Sequence, residues 1–319
     1  MNNRKRYQWK IGRRTLLLGE RTLIMGVLNV TPDSFTDGGK FSDPDRAFAH
    51  AVLMEEEGVD IIDVGAESTR PGSQRISEAE ELRRLIPVLK RLQNKLSVPI
   101  SVDTYKSAVA EKAMEYGVEI VNDPSSLTFD PNLARTAANH DAGLILNHMR
   151  GTPESWAKLP PLKDVTGSIF EDLQATVHRA VRSGMDRSRI AIDPGLGFGK
   201  RKEQNSEILA RLPELVKMDL PILVGPSRKS FLSQTTSAQI TDLETEYATA
   251  AAVTAAILGG THMVRVHNVK DMRIVVQIAD SILSAGPEPV EPEQPAPPPR
   301  QRTDRATQGR TALRPGLRR

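Results

Sequence analysis

The sequence predicts an α/β chain of the (β/α)8, or TIM-barrel, class, on three observations. Eight short runs rich in Val and Ile recur along it, with helix-like sequence between consecutive runs. The runs are mostly continuous rather than alternating, as strands buried on two faces of a parallel sheet must be. Each closes on a polar residue or a glycine-containing turn: Asn29, Asp63, Asp103, Asn122, His148, Asp193, Gly225-Pro226-Ser227, and Arg265 with His267. Polar groups at every strand end are what such a barrel needs to build a site on one face. The length of 319 residues suits one barrel of roughly 250 residues plus extensions.

In chain order, residues 1–22 read as a β-hairpin-like lead-in, with strand-like Arg14 to Leu18 and Arg21 to Leu23 around Gly19. Residues 23–284 form the barrel. Its strands are expected at Ile24–Val30, Val59–Val64, Val98–Val102, Val118–Val121, Gly143–Leu146, Arg189–Ile192, Leu220–Val224 and Met263–Val266. The first helix opens at Asp43-Pro44, a cap and a first-turn proline, and closes at Gly58. Ser77-Glu78-Ala79-Glu80 reads as a capping box before an amphipathic stretch reaching Leu96. Further helices are expected over Ser107 to Tyr116, Asp130 to His140, Asp164 to Ser183, Glu203 to Lys217, Leu243 to Leu258 and Val269 to Leu283. Residues 285–319 carry seven prolines between 287 and 299, then an Arg-rich end. So little apolar area predicts a disordered tail.

Composition narrows the function. Hydrophobic residues make up 39%, enough for a sizeable core, while aromatics at 4% are too sparse for a base-stacking surface. Without cysteine there are neither disulfides nor thiolate-bound metals. The most apolar stretch, Ala248 to Leu258, is too short to span a bilayer. Leu16-Leu17-Leu18 is cut off by Gly19-Glu20-Arg21, so no signal-peptide core is present and a cytoplasmic enzyme is expected. The net charge of +3 hides a split, because residues 1–14 and 300–319 each carry +6. The body between is therefore acidic, which argues against nucleic-acid binding by the folded core.

Several strand ends carry chemistry. The segment 29–39 after the first run is rich in proline, glycine and small polar residues; it is a lid or an ordinary βα turn. Arg70, between small residues and Pro71, either reaches an anionic substrate group or sits in solvent. Asp103 and Asp193 close apolar runs, where a carboxylate is costly unless it accepts good hydrogen bonds. They suit a metal, a substrate with several N–H donors in a row, or helix N-caps. Met149 could pack on a flat heterocycle or in the core. Ser227, Arg228 and Lys229, with Arg265 and His267 on one side of the last run, form an anion cluster or separate surface charges. The six histidines show no zinc-type spacing.

Taken together, MGVLNVTPDSFTDGG (25–39), DVGAESTRPG (63–72), SVDTYK (101–106), VND (121–123), HMRGTP (148–153), DPGLGFGK (193–200), GPSRKSF (225–231) and RVHNV (265–269) resemble the ordered motifs of the dihydropteroate synthase family. The resemblance covers roughly residues 14–284. It implies a folate-biosynthetic transferase that forms a C–N bond between a dihydropterin methyl diphosphate and 4-aminobenzoate. It further implies a catalytic set of Lys229, Arg265, His267, Asp37 and Arg70. Thr69, Asp103, Asn122, Met149 and Asp193, with Lys229, Arg265 and His267, would bind the pterin diphosphate. Phe35, Arg70, Pro71, Phe198 and Ser230 would bind 4-aminobenzoate, with Thr69 also helping to place it, and Asn29 would hold Mg²⁺. Loops 30–39 and 66–75 would be the mobile parts.

Two details depart from the family pattern: Pro124 stands where a Gly-containing turn is usual, and Asn147 where Met is common. Two other readings compete. A pterin-dependent methyltransferase would not need the cationic cluster, and a non-catalytic pterin-binding paralogue could lose Asn29, Phe35 or Arg70 freely. The resemblance implies a homodimer, for which the long final helices could supply the interface.

Overall fold

The structure, a computed structural model, describes residues 4–31, 44–70, 72–234 and 240–286. It begins with a hairpin, β1 (Tyr7–Ile11) antiparallel to β2 (Arg14–Leu18), with Gly12 at φ +47° in the two-residue turn. That corrects the sequence expectation. Arg14 to Leu18 pairs backwards with Tyr7 to Ile11, not forwards around Gly19. Gln8 and Lys10, on either side of Trp9, hid an alternating strand whose Trp9 and Ile11 point one way.

Eight parallel strands follow: β3 (Leu23–Asn29), β4 (Ile61–Gly65), β5 (Ile100–Asp103), β6 (Ile120–Asp123), β7 (Gly143–Asn147), β8 (Ile190–Asp193), β9 (Leu223–Val224) and β10 (Met263–Val266). The sheet runs β8-β7-β6-β5-β4-β3-β10-β9. It closes where Ile192 bridges Ile222 and Ile192 N donates to Pro221 O at 2.9 Å. Closure leaves no open edge in the ring.

The surrounding helices are α1 (Pro44–Glu56), α2 (Glu78–Leu92), α3 (Ser107–Met114), α4 (Leu133–Asn139), α5 (Val165–Arg182), α6 (Lys202–Ala210), α7 (Ser230–Gln234), α8 (Asp242–Leu258) and α9 (Val269–Ser284). Ser77 caps α2 by accepting from Glu80 N, the first half of the expected capping box, while the Glu80 carboxylate pairs with Arg83 and Arg84 rather than reaching back to Ser77. The single helix expected over Glu203 to Lys217 is instead α6 followed by a 3₁₀ segment, Leu212–Met218. Pro213 can donate no α-helical hydrogen bond, so the α-helix stops before it. None of the described helices is long and apolar enough to cross a membrane.

Two apolar layers hold the barrel. The larger lies between strands and helices and includes Ile62, Val64, Val102, Leu89, Val253 and Val264. The smaller fills the barrel floor, where Trp9, Ile11 and Leu18 of the hairpin meet Met25, Ile61, Ile120, Ile145, Ala191, Leu223 and Met263. The hairpin is thus a plug, each buried side chain contributing about 1.5–3 kcal/mol. Its fit is tight, since a Cβ at Gly143 would come 2.5 Å from Ile11 Cγ2. Residues 285 and 286 end the described part; the remainder of the segment expected as a disordered tail lies outside the described residues.

Candidate active site

Strand alternation carries the floor upward into a polar mouth. Two residues above floor-lining Ile61, Ile120, Ala191 and Met263 stand Asp63, Asn122, Asp193 and Arg265 on the same inward side. Asn29 and Asp103 flank Gly65 in register at the neighbouring strand ends. Six of the eight polar strand ends therefore converge.

Arg265 is the hub. Its Nε donates to Asp63 Oδ2 at 2.7 Å and its Nη2 to Asp103 Oδ2 at 2.9 Å. Asn122 Nδ2 also donates to Asp63 Oδ2, at 3.1 Å. Asp63 is fully buried, and its Oδ1 has no hydrogen-bond partner among the described residues. Sequence reasoning left Asp63 without a chemical role; the structure makes it the residue that aims Arg265. Burial raises the Asp103 carboxyl pKa, against the pull of Arg265. Neither Asp103 nor Asp193 is a helix cap: α3 begins after Lys106, and Asp193 Oδ1 accepts from Gly195 N at 2.7 Å.

The segment after β8 forms the next wall. Buried Lys200 donates to the carbonyls of His148, Pro194 and Gly195 at 2.7, 2.9 and 2.7 Å. A Cβ at Gly195 would lie 1.9 Å from His148 O at a φ of +68°, so only glycine fits. The lysine closing the DPGLGFGK run was the one visible signal for this tether, and sequence reasoning gave it no role. Phe198 packs edge-on against Trp156, with ring centroids 5.3 Å apart. Lys229 Nζ lies 4.4 Å over the Phe198 ring and donates to Leu196 O. Burial pulls the Lys229 ammonium down to about 8, with Asp193 opposing.

The cationic end differs from expectation in two ways. His267 is neutral at pH 7, because burial and then the cations Arg265, Arg228, Lys229 and Arg70 push its pKa down to about 3. Its Nδ1 lies 2.9 Å from Ser227 Oγ, which accepts from His267 N at 3.2 Å. The serine hydrogen then points to Nδ1, leaving Nε2–H as a neutral donor. Arg228 does not converge at all: it adopts φ +55° and pairs with Glu246 at 2.7 Å. Sequence shows residue types at the last two strand ends but not their burial.

The remaining expected site residues divide. Thr69, Met149 and Phe198 are half-buried, while Arg70 and Ser230 are exposed. Phe35, Asp37 and Pro71, with the loop segment 32–39, lie outside the described residues. The second loop is not free along its length: Arg84 Nη1 donates to Ala66 O at 3.1 Å, Ser73 Oγ to Ser68 O at 2.6 Å and Gly72 N to Pro153 O at 3.2 Å. The two departures from the family pattern meet each other, since Asn147 Nδ2 donates to Pro124 O at 2.8 Å. Asn147 also stands in register with Asp193.

The model of a family described as pterin binding enzyme matches residues 25–267. A dihydropteroate synthase of Synechocystis sp. is 42% identical over 264 residues, 83% of this chain and 91% of that protein. The solved structure of a dihydropteroate synthase from Clostridium difficile in the presence of pteroic acid aligns with TM-score 0.77 at 42% identity, covering 83% of this chain and 98% of that one. One from Xanthomonas albilineans with 4-aminobenzoic acid aligns with TM-score 0.77 at 35% identity, covering 85% and 96%.

Proposed function

We infer the workings of the mouth from one premise: the chain belongs to the pterin-binding enzyme family, and its activity is that of a dihydropteroate synthase. It condenses (7,8-dihydropterin-6-yl)methyl diphosphate with 4-aminobenzoate, giving 7,8-dihydropteroate and diphosphate in folate biosynthesis. The observation that carries this reading is the inward convergence of Asp103, Asn122 and Asp193 with Lys229 and Arg265. A methyltransferase would have no use for the cations.

Asp103, Asn122 and Asp193 hold the amino-pyrimidine edge, whose adjacent N–H donors match carboxylate and amide oxygens. Lys229 reaches the pterin carbonyl and ring nitrogen, and Met149 lines the ring. Arg265 and the neutral Nε2–H of His267 receive the diphosphate. Thr69, Arg70, Phe198 and Ser230 place 4-aminobenzoate, with Phe35 and Pro71 assigned there by the resemblance, and Asp37 to the catalytic set. As the methylene C–O bond breaks, Arg265 and Lys229 offset the charge growing on the leaving diphosphate. The amine nitrogen then bonds to the methylene carbon and loses its proton. No general base is required, because an aryl amine is neutral at pH 7. Holding the two substrates in line could supply on the order of 7–11 kcal/mol.

The residues fit a Mg²⁺ that arrives with the diphosphate. Asn29 Oδ1 and Asp103 Oδ2 converge beside Gly65, where a Cβ would stand 3.5 Å from Asp103 Cβ, 3.6 Å from Asn29 Oδ1 and 3.7 Å from Asp103 Oδ2. Among the described residues no group of three or more His, Cys, Asp or Glu could hold an ion alone. Asn29 would be the chain's donor, phosphate and water oxygens the others. When bound, the ion neutralises negative charge on the diphosphate.

Incubating the protein with both substrates and Mg²⁺ should yield dihydropteroate by mass spectrometry. Retained pterin binding without product would favour the non-catalytic paralogue, and methyl transfer the methyltransferase.

The same proposal makes the enzyme a cytoplasmic homodimer. A cysteine-free chain gains nothing from an oxidising compartment. On α9 the exposed Ile274, Ile278 and Ile282 repeat every fourth residue, and α8, packed beside it, exposes Leu243, Tyr247 and Leu258. Such an apolar stripe suits an isologous interface. Sedimentation should give a dimer for the native chain and a monomer for Ile278→Asp; a monomeric native enzyme overturns the assignment.

A further inference from the structure

A buried ion triad that the scheme above does not use ties the second loop to the strand end carrying Asp103. Lys106 Nζ donates to Glu67 Oε2 at 2.5 Å and to Glu81 Oε2. The side chains of Lys106, Glu67 and Glu81 are only 9%, 10% and 1% exposed. Tyr105 OH donates to Glu67 Oε1 at 3.0 Å. The Tyr105 ring meets Phe129 edge-on at 5.0 Å, and Arg75 of the same loop caps Phe129 at 3.6 Å. Loop, α2 and the start of α3 are therefore joined at one buried ammonium, that of Lys106.

The sequence separations give this junction its meaning. Glu67 precedes Thr69 and Arg70 by two and three residues, and Lys106 follows Asp103 by three. The first link is too short for Thr69 and Arg70 to keep their place if Glu67 moves, whereas Asp103 is held independently by Arg265 at 2.9 Å and by the pairing of β5 with β4 and β6. A buried ion triad contributes little net stability over an apolar one of the same shape. What it supplies is a fixed geometry, since each charge has only one acceptable partner set.

We propose that Lys106 is a positioning residue for 4-aminobenzoate: through Glu67 it sets where Thr69 and Arg70 stand relative to Asp103. It thereby fixes the approach of the amine to the pterin methylene. The proposal rests on the assignment of Thr69 and Arg70 to that substrate. Misplacement of a reacting group by about 1 Å can cost on the order of 10²-fold in rate, so the effect should be large at one substrate and small at the other.

The test compares Lys106→Met, Lys106→Arg, Glu67→Gln and Arg70→Ala in the full chain. KM for 4-aminobenzoate is read from initial rates and Kd for the pterin diphosphate from calorimetry. Lys106→Met should raise the aminobenzoate KM about tenfold or more and leave the pterin diphosphate Kd within about twofold. Lys106→Arg, which keeps the cation, should recover most of the loss. If Lys106→Met does not fold, Glu67→Gln, which preserves shape, should show the same split. Equal weakening of both substrates, or an unchanged aminobenzoate KM in a folded variant, overturns the proposal. An unchanged KM in Arg70→Ala would instead remove the assignment beneath it, and the proposal with it. A raised KM there alongside a normal one in Lys106→Met refutes the proposal alone.

Discussion

Replacing Arg265 with alanine is expected to lower kcat/KM by about 10²–10³, the usual cost of losing one preorganised group at a developing charge. It should also destabilise the fold by about 3–5 kcal/mol, as breaking a buried pair does. The second effect comes from Asp63, which is fully buried and loses its only cationic partner among the described residues. The two effects separate in a double variant. Asp63→Asn combined with Arg265→Ala should regain much of the lost stability by removing the stranded charge, and none of the activity. Chemical denaturation and initial rates on the native chain, the single variants Arg265→Ala and Asp63→Asn, and the double variant decide it. A double variant no more stable than Arg265→Ala would mean that Asp63 does not aim Arg265.

Lys229→Ala should cost at least about 10² in kcat/KM for the pterin diphosphate, with near-normal activity sinking the assigned role. A pH profile gives an independent reading. Burial lowers the Lys229 pKa from its ordinary 10.5 to about 8. The ammonium is present below that pH and is lost above it, so kcat/KM should fall as pH rises through about 8. Lys229→Arg keeps a cation at every accessible pH. Its profile should lack that basic limb, even if its activity at pH 7 is lower. A limb near 8 that survives in Lys229→Arg would assign the titration to another group.

Much of the barrel was legible in sequence because its signals are local. A strand buried on two faces must be apolar along its run, and its final residues must be polar if they face a wet mouth. Both facts are written within a few consecutive residues, as in Ile61 to Gly65 or Met263 to His267. The acid and amide positions Asp103, Asn122 and Asp193 were readable for the same reason. The first strand of the hairpin was not, because exposed Gln8 and Lys10 alternate with Trp9 and Ile11 in so short a run, and its function depends on a barrel floor assembled from seven other strands.

Charge state and pairing were also beyond the sequence. His267 looked like part of a cationic cluster, yet it is buried beside real cations and remains neutral. Arg228 looked equivalent to Lys229, yet its positive φ turns it toward Glu246 on α8. The Glu67–Lys106–Glu81 triad combines three motif-internal or helix residues that no local pattern connects.

The order of the strands and the inward rank of polar residues were determined by sequence alone, because a period of two places alternate residues on one face wherever the strand lies. Which of those residues act together was decided only by closure of the barrel. Arg265 and Asp63 are 202 positions apart. They meet because β10 docks beside β3, and β3 beside β4, so that a long guanidinium can cross the interior to a carboxylate two strands away. No spacing rule encodes that contact, since it exists only in the ring.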